Sequence, residues 1–159
     1  MGRTRYMRNL EGLDELYEQI VLDHYRNPRA AAPLAAPTVN IEVNNPFCGD
    51  EIHLQLKAGP EGKVEGVSVS GRGCAISQSS GSLLTDLVLG KGPAQLRETV
   101  QLVRRLMKGE PLSDAELDSL GDLSALAGVR KFPVRIKCAL LAWSALDEAA
   151  EKLANTSAR

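Results

Sequence analysis

Aromatic residues, long apolar runs and an excess of either charge are all scarce or absent in this chain of 159 residues. Aromatics make up only 4% of it, which argues against the stacking platforms that bind single-stranded nucleic acids. The 19 Lys and Arg residues nearly cancel the 20 Asp and Glu residues, so there is no basic surplus of the kind that binds nucleic acid. No run of about 18 or more apolar residues occurs, so the sequence predicts no membrane-spanning helix.

Cysteine and histidine are also few, with three Cys and two His. A secreted disulfide scaffold would carry an even number of cysteines at closer spacing. We therefore predict a reducing, cytoplasmic environment in which the cysteines remain thiols. The length fits one domain with its own core, which we place at residues 10–154. A basic leader (1–9), which lacks the apolar centre of a signal peptide, would precede it, and a frayed tail (155–159) would follow.

The spacing of apolar residues predicts an α+β fold, in which a three-stranded antiparallel sheet is covered by about five helices. Intervals of three and four residues predict a first helix over residues 13–24, which ends at Asn27-Pro28. Alternation of apolar and polar residues then predicts strands around residues 39–43, 52–56 and 67–69. No long crossover separates these strands, so they are expected to form a meander.

Helical spacing returns after the third strand. One helix is expected to follow Cys74 and to end before Gly90, and a second ends near Gly109. Residues 111–128 begin with a capping-box pattern and predict short helices with connecting loop. The last helix is expected from about residue 134 to 153.

The stretch Asn45-Pro46-Phe47-Cys48-Gly49-Asp50 places a thiol and a carboxylate two positions apart. Pro46 fixes one backbone dihedral before the thiol, and Gly49 permits a tight turn after it. A turn of this kind can direct the sulfur of Cys48 and the carboxylate of Asp50 to a common point. These two residues are therefore candidate metal ligands.

Cys74 and Cys138 are the further candidates. Cys74 lies between a glycine pair and a helix start, where free backbone N–H groups favour a thiolate. A meander brings Cys48 and Cys74 to the same end of the sheet, and Cys138 lies on the inward stripe of the last helix. If that helix crosses the same end, three sulfurs and one carboxylate converge.

Three sulfurs and an oxygen suit tetrahedral zinc, and the sulfurs would also suit an iron–sulfur cluster. The alternative for any one of these cysteines is simple core packing, because free cysteine is among the most buried residue types. No pair forms a tight C-x-x-C motif, so the spacing alone leaves both interpretations open.

Other candidate sites are weaker. His24 lies on the apolar stripe of the first helix and His53 on the polar face of a strand, so both are expected to be structural or solvated. A cysteine hydrolase, which needs a histidine beside its nucleophile, is therefore disfavoured. The serine-rich run 77–82 begins a helix as anion sites do, but it lacks the Gly-Lys-Ser/Thr ending of a P-loop.

With these residues identified, the chain resembles the SufU branch of the iron–sulfur cluster assembly scaffold family, which comprises SufU, IscU and the NifU N-terminal domain. The resemblance extends from residue 16 to about residue 153. It is carried by residues 16–28 and by the three cysteine motifs at 45–50, 71–77 and 135–138. It implies the SufE/IscU-like fold and a metal site formed by Cys48, Asp50, Cys74 and Cys138.

Two departures within the family point to the SufU branch. Lys137 stands where IscU proteins carry a histidine, and residues 131–135 differ from the chaperone-binding motif of IscU. The long segment 111–128 also resembles an insertion found in SufU proteins.

The resemblance implies a zinc-bound, sulfurtransferase-like protein that takes persulfide sulfur from a SufS-type cysteine desulfurase. Cys48 would leave the zinc when a desulfurase histidine displaces it and would then accept the sulfur. A SufBCD-type assembly complex is a candidate further partner. Arg135 and Lys137 are implied as residues that support the ligands or bind the partner.

Two alternatives to the sulfur acceptor remain. One is an IscU-like scaffold on which an iron–sulfur cluster is assembled, so that the metal would be iron. The other is a domain with a purely structural zinc site. Lys137 favours the sulfur acceptor over the scaffold. Asp50 disfavours a structural site, because those are usually closed by cysteine and histidine alone.

Overall fold

The computed structural model describes residues 10–46 and 49–157. Within those residues a three-stranded antiparallel sheet packs against five α-helices, so the predicted α+β class is confirmed. In chain order the elements are α1 (Leu10–Arg26), β1 (Val39–Asn45), β2 (Asp50–Ala58), β3 (Val64–Arg72), α2 (Ala75–Val88), α3 (Pro93–Lys108), α4 (Asp114–Leu120) and α5 (Ile136–Ser157). Two 3₁₀ helices, Gly121–Lys131 and Pro133–Arg135, connect α4 to α5.

The sheet is the predicted meander, with strand order β1-β2-β3. Ile41 of β1 pairs with Leu54 of β2, which in turn pairs with Val69 of β3. All three are buried and face the helices. The alternate residues of each strand are more polar and lie on the other face of the sheet, as expected for an antiparallel sheet with one face on the core.

Helix α2 lies close to the sheet because Gly81 has no side chain at the contact. A Cβ atom added there would be 2.9 Å from Cγ1 of Val69, which is too close for an unstrained structure. Helix α5 packs against α2 through Ala142, and Trp143 beside it is fully buried. The ends of β2, β3, α2 and α5 are thereby held in fixed relative positions.

The connection from α1 to β1 covers part of the sheet. The carbonyl of Ala30 accepts a hydrogen bond from the N–H of Val69 at 2.9 Å, along the outer edge of β3. The N–H of Leu34 donates to Oε1 of Gln55 at 2.8 Å. The segment thus satisfies a backbone donor on the edge strand, which protects that edge from pairing with another chain.

The boundaries of the last helix differ from those predicted. Residues 133–135 form a 3₁₀ turn, so α5 begins at Ile136 rather than near 134. The helix continues to Ser157, so residues 155–157 of the predicted frayed tail are helical. Buried Leu153 and the bond from Thr156 Oγ1 to the Lys152 carbonyl extend it.

The leader (1–9) and residues 158–159 lie outside the described residues. Among the described helices, none is both long and apolar enough to cross a membrane.

Candidate metal centre

Asp50 is the first residue of β2, and it pairs with Asn45 at the end of β1. The N–H of Gly49 donates to the carbonyl of Asn45 at 2.8 Å, and the backbone of Gly49 is left-handed, with φ of 70°. This tight turn places the Asp50 side chain on the core face of the sheet, where it is fully buried. Cys48 precedes Gly49 in the sequence and lies outside the described residues.

The chain returns to Asp50 at the end of β3, where two glycines allow a very close approach. Gly71 and Gly73 both have positive φ angles, of 155° and 143°. A Cβ atom on Gly73 would overlap Oδ1 of Asp50, and one on Gly71 would overlap the carbonyl oxygen of Glu51. The Gly-Arg-Gly sequence is therefore required to bring Cys74 beside Asp50.

The two carboxylate oxygens of Asp50 contact different atoms of Cys74. The backbone N–H of Cys74 donates to Oδ1 at 2.8 Å. The sulfur of Cys74 lies 3.7 Å from Oδ2. Because one oxygen binds the backbone, the other is oriented toward the thiol.

Cys74 is also the N-cap residue of α2. Its sulfur accepts a hydrogen bond from the N–H of Ser77 at 3.5 Å, and the Ser77 hydroxyl lies 3.8 Å from it. That hydroxyl donates to the Cys74 carbonyl at 3.1 Å. The first turn of α2 therefore fixes the direction of the sulfur, and its N–H groups favour negative charge there.

Cys138 lies in the first turn of α5 and is buried. A polar contact beside it joins α5 to α2. The hydroxyl of Ser80 donates to the carbonyl of Ala139 at 2.6 Å and accepts from Nε1 of Trp143 at 3.0 Å. These buried bonds hold the start of α5 against α2, which places Cys138 near Cys74.

Asp50, Cys74 and Cys138 form a group in which one ligand atom from each lies within 4.8 Å of the others. The structure thus brings together three of the four predicted ligands, and the fourth, Cys48, lies outside the described residues. His24 and His53 do not belong to this group. His24 is buried against Ser82, and His53 binds Asn40 on the outer face of the sheet.

Two further side chains lie close enough to the sulfurs to interact with them. The negative charge of Cys74 raises the pKa of Arg135, and hydrogen bonds from its guanidinium to Cys138 and Cys74 raise it further. Burial raises the pKa of Tyr17, and the charge of Cys74 adds to this effect, whereas Arg135 lowers the pKa. Lys137, the other predicted accessory residue, is exposed in the first turn of α5.

Tyr17 and Ser80 were not identified from the sequence. Tyr17 fits the apolar stripe of α1, and its ring packs against Gly128, where an added Cβ would be 2.8 Å from Cγ. Ser80 was one of several serines in a helical run. The available signal was Trp143, the only Trp in the chain, because a buried indole N–H needs an acceptor.

The three described residues fit zinc. Zinc binds sulfur at about 2.3 Å and carboxylate oxygen at about 2.0–2.2 Å, so two such ligands at a tetrahedral angle are about 3.5 Å apart. The separation of 3.7 Å between Cys74 Sγ and Asp50 Oδ2 is close to that value. Because Oδ1 is bound to the backbone, Asp50 would bind through Oδ2 alone.

Comparisons with known proteins give a consistent result. The family model of the NifU-like N-terminal domain matches residues 16–139. The zinc-dependent sulfurtransferase SufU of Bacillus subtilis (strain 168) is 41% identical over 140 residues, which are 88% of this chain and 92% of the relative. The iron–sulfur cluster assembly scaffold protein IscU of Streptococcus pyogenes serotype M1 is 38% identical over 146 residues, or 92% of this chain and 89% of the relative.

A solved structure shares the fold. It is the crystal structure of a hypothetical protein, with a TM-score of 0.78 and 38% sequence identity. The match covers 87% of this chain and 98% of that one. The helical layer and the three-stranded meander are therefore common to the two.

Proposed function

The chain belongs to the NifU-like N-terminal domain family of iron–sulfur cluster assembly scaffold proteins, and from this premise we propose that it is a zinc-dependent acceptor of persulfide sulfur. A cysteine desulfurase would supply the sulfur, and the chain would pass it on for cluster assembly. The proposal rests on one observation: the buried carboxylate of Asp50 lies beside the sulfurs of Cys74 and Cys138. In the sequence, Asp50 comes two positions after the third cysteine, Cys48.

The proposed ligands are Cys48, Asp50, Cys74 and Cys138. Zinc, when bound, would stabilise the thiolate forms of the cysteines. Asp50 is the single oxygen ligand of the set. Since zinc generally prefers sulfur and nitrogen, this ligand would make the site more labile than an all-cysteine site.

Cys48 is the proposed acceptor because the other two thiols, Cys74 and Cys138, are held in place by the fold. Cys138 is only 2% exposed, in the first turn of α5. The sulfur of Cys74 caps α2 and contacts Asp50. Both are thus held by the fold. Cys48 lies in sequence between β1 and β2, outside every helix of the described residues, and the resemblance implies that it is the acceptor.

The transfer step is a thiolate attack on sulfur. The Cys48 thiolate attacks the terminal sulfur of the persulfide on the desulfurase cysteine, and a new S–S bond forms at Cys48. The S–S bond of the partner's persulfide breaks, and the partner's cysteine leaves as a thiolate. Cys48 then carries the persulfide, and no external oxidant or reductant is needed.

A second candidate is assembly of a cluster on the same residues. The resemblance to the Streptococcus IscU scaffold, at 38% identity, favours it. Lys137 argues against it, because an ammonium group has no lone pair with which to bind a metal, and the resemblance implies a histidine at this position in IscU proteins.

Metal content and desulfurase stimulation together test the proposal. Protein purified without added metal should contain about one zinc per chain, as a four-ligand site predicts. It should also raise the rate at which a cysteine desulfurase releases sulfur from cysteine, and Cys48→Ala should abolish the increase. Iron with sulfide and little stimulation would instead support the scaffold. Absence of both metal and stimulation would contradict both functions.

A further inference from the structure

Apolar side chains are unusually exposed immediately before α5. Phe132 is 51% exposed and Val134 is 82% exposed, and Pro133 between them is exposed as well. We call residues 132–134 the apolar turn. Single exposed apolar residues are common, but a run of three on one short turn is a feature of interaction sites.

The exposure is fixed by the backbone. The N–H of Phe132 donates to the carbonyl of Val129 at 2.8 Å, and the N–H of Arg135 donates to the carbonyl of Phe132 at 2.7 Å. These bonds close the chain into successive 3₁₀ turns. The apolar side chains are therefore already arranged for binding, so a partner would lose less conformational entropy in ordering them.

The charge around the apolar turn has one sign. Four cations lie within eight residues, namely Arg130, Lys131, Arg135 and Lys137. No Asp or Glu occurs between Asp122 and Asp147, although the chain as a whole carries a net charge of −1. A partner surface that fits this segment would combine an apolar pocket with carboxylates around it.

The apolar turn is continuous with the metal centre. Arg135 follows Val134 directly, and its guanidinium hydrogen-bonds to the sulfurs of Cys138 and Cys74. Cys138 itself is four residues beyond Val134. A protein bound to the turn would therefore lie beside the ligand group, where sulfur transfer requires it.

We propose that the apolar turn, with its flanking cations, is the surface on which the cysteine desulfurase docks. This inference rests on the proposed function, which requires such a partner. The complementary surface of the desulfurase is an apolar pocket rimmed by Asp and Glu, next to its persulfide-bearing cysteine. The turn contributes affinity, and Cys48 carries out the chemistry.

Substitutions on the turn separate docking from chemistry. Val134→Ser removes the most exposed apolar side chain of the turn, and Val134→Asp also places a negative charge opposite the acidic rim. The control is Leu89→Ser, because Leu89 is 57% exposed but lies at the far end of α2. A helix of that length puts it about 20 Å from Cys74. Both side chains are at the surface, so folding and zinc content should be preserved in all three variants.

The measurement is binding of each zinc-loaded variant to the desulfurase by calorimetry, together with desulfurase rate as a function of variant concentration. Val134→Ser should raise the half-saturating concentration by about tenfold, with the maximal rate unchanged. Val134→Asp should raise it further, and high salt should weaken binding of the unaltered chain. Leu89→Ser should match the unaltered chain.

Different results would overturn the docking surface and the sulfur-acceptor function. If the unaltered chain stimulates the desulfurase and both Val134 variants bind equally well, the docking surface is wrong and the function stands. If the variants instead abolish self-association of this chain and leave desulfurase binding intact, the turn is a contact between copies and the docking proposal is also overturned. If the unaltered chain neither binds nor stimulates, the proposed function fails, and the docking surface fails with it.

Discussion

The backbone N–H of Cys74 is hydrogen-bonded to one oxygen of Asp50, at 2.8 Å, while the sulfur of Cys74 faces the other oxygen at 3.7 Å. A single buried carboxylate thus holds the connection between β3 and α2 and offers a ligand atom to a metal. Fold stability and metal binding meet at this residue, and suitable substitutions should separate them.

Asp50→Ala should affect both properties. It removes the oxygen ligand, so zinc would be held by the cysteines alone, and the sulfur-transfer rate should change. It also leaves the N–H of Cys74 without its acceptor, which should lower the free energy of unfolding by about 1–3 kcal/mol. Urea unfolding and a desulfurase-coupled transfer assay measure the two effects. Sulfur transfer at the unaltered rate would count against a role for Asp50.

Asp50→Asn is the matched variant. Its amide oxygen can still accept the bond from Cys74, so the free energy of unfolding should be closer to that of the unaltered chain. The neutral amide is a poorer ligand than a carboxylate, so the zinc affinity should still fall in competition with a chelator. Equal zinc affinities of this variant and the unaltered chain would contradict the assignment of Oδ2 as a ligand atom.

Gly73→Ala should damage the site through sterics alone. Its Cβ would overlap Oδ1 of Asp50, and φ of 143° is itself strained for alanine. We expect zinc affinity to fall about 10- to 100-fold, as for other changes that displace a ligand's support. Gly90→Ala is the control, with φ of 81° but open space around the added Cβ. This substitution should lower the free energy of unfolding by only about 1–2 kcal/mol, and the variant should keep its zinc.

Ser80→Ala should loosen the start of α5. It leaves the indole N–H of Trp143 without its acceptor in a buried environment, which costs about 1–3 kcal/mol, and it removes the hydrogen bond that ties the Ala139 carbonyl to α2. Zinc should dissociate faster as well, because Cys138 adjoins Ala139. Ser144→Ala on the exposed face of α5 serves as the control, since it should change neither property. Equal thermal stability of the two variants would show that the Ser80 contact is unimportant.

His24 should make the fold sensitive to mild acid. Its ring is buried, and Nδ1 lies 2.7 Å from the hydroxyl of Ser82, which also accepts the N–H of Arg29. Burial lowers the pKa of His24, and the charge of Arg29 lowers it further, against smaller opposite effects of Asp86 and Asp23. The unfolded chain therefore binds a proton more readily than the folded chain does.

The stability from neutral His24 is complete above about pH 6.5, the ordinary value, and is lost as the pH falls below it. The free energy of unfolding in urea should decrease from pH 7.5 to pH 5.5, and this decrease should be smaller in His24→Gln. Parallel pH dependences of the two proteins would rule His24 out as the responsible group.

Local patterns predicted most of the fold because each depends on neighbours in the sequence. The alternation in β1, β2 and β3 and the pairing of Ser113 with Glu116 at the start of α4 both follow from local geometry. The ends of α5 were harder to predict. Residues 133–135 have apolar spacing that fits a helix, but they form a 3₁₀ turn, and the end near residue 157 depends on packing of Leu153.

The ligand group was accessible to sequence reasoning because Gly49, Gly71 and Gly73 mark the turns that carry it. The residues that surround the ligand group could not be predicted from the sequence. Tyr17, on which the charge of Cys74 acts, packs against Gly128, which is 111 positions away in the chain. Arg135 interacts with a cysteine 61 positions earlier. Contacts of this range depend on how α1, α2 and the 3₁₀ helices pack, which no local pattern specifies.

Sulfur transfer to Cys48 is the step on which the proposed function depends. The most direct measurement is mass spectrometry of the zinc-loaded chain after incubation with a cysteine desulfurase and cysteine, with free thiols and persulfides alkylated before digestion. We expect one extra sulfur atom on the peptide that contains Cys48, absent in Cys48→Ser. Extra sulfur on Cys74 or Cys138 instead, or none while the desulfurase turns over, would contradict it.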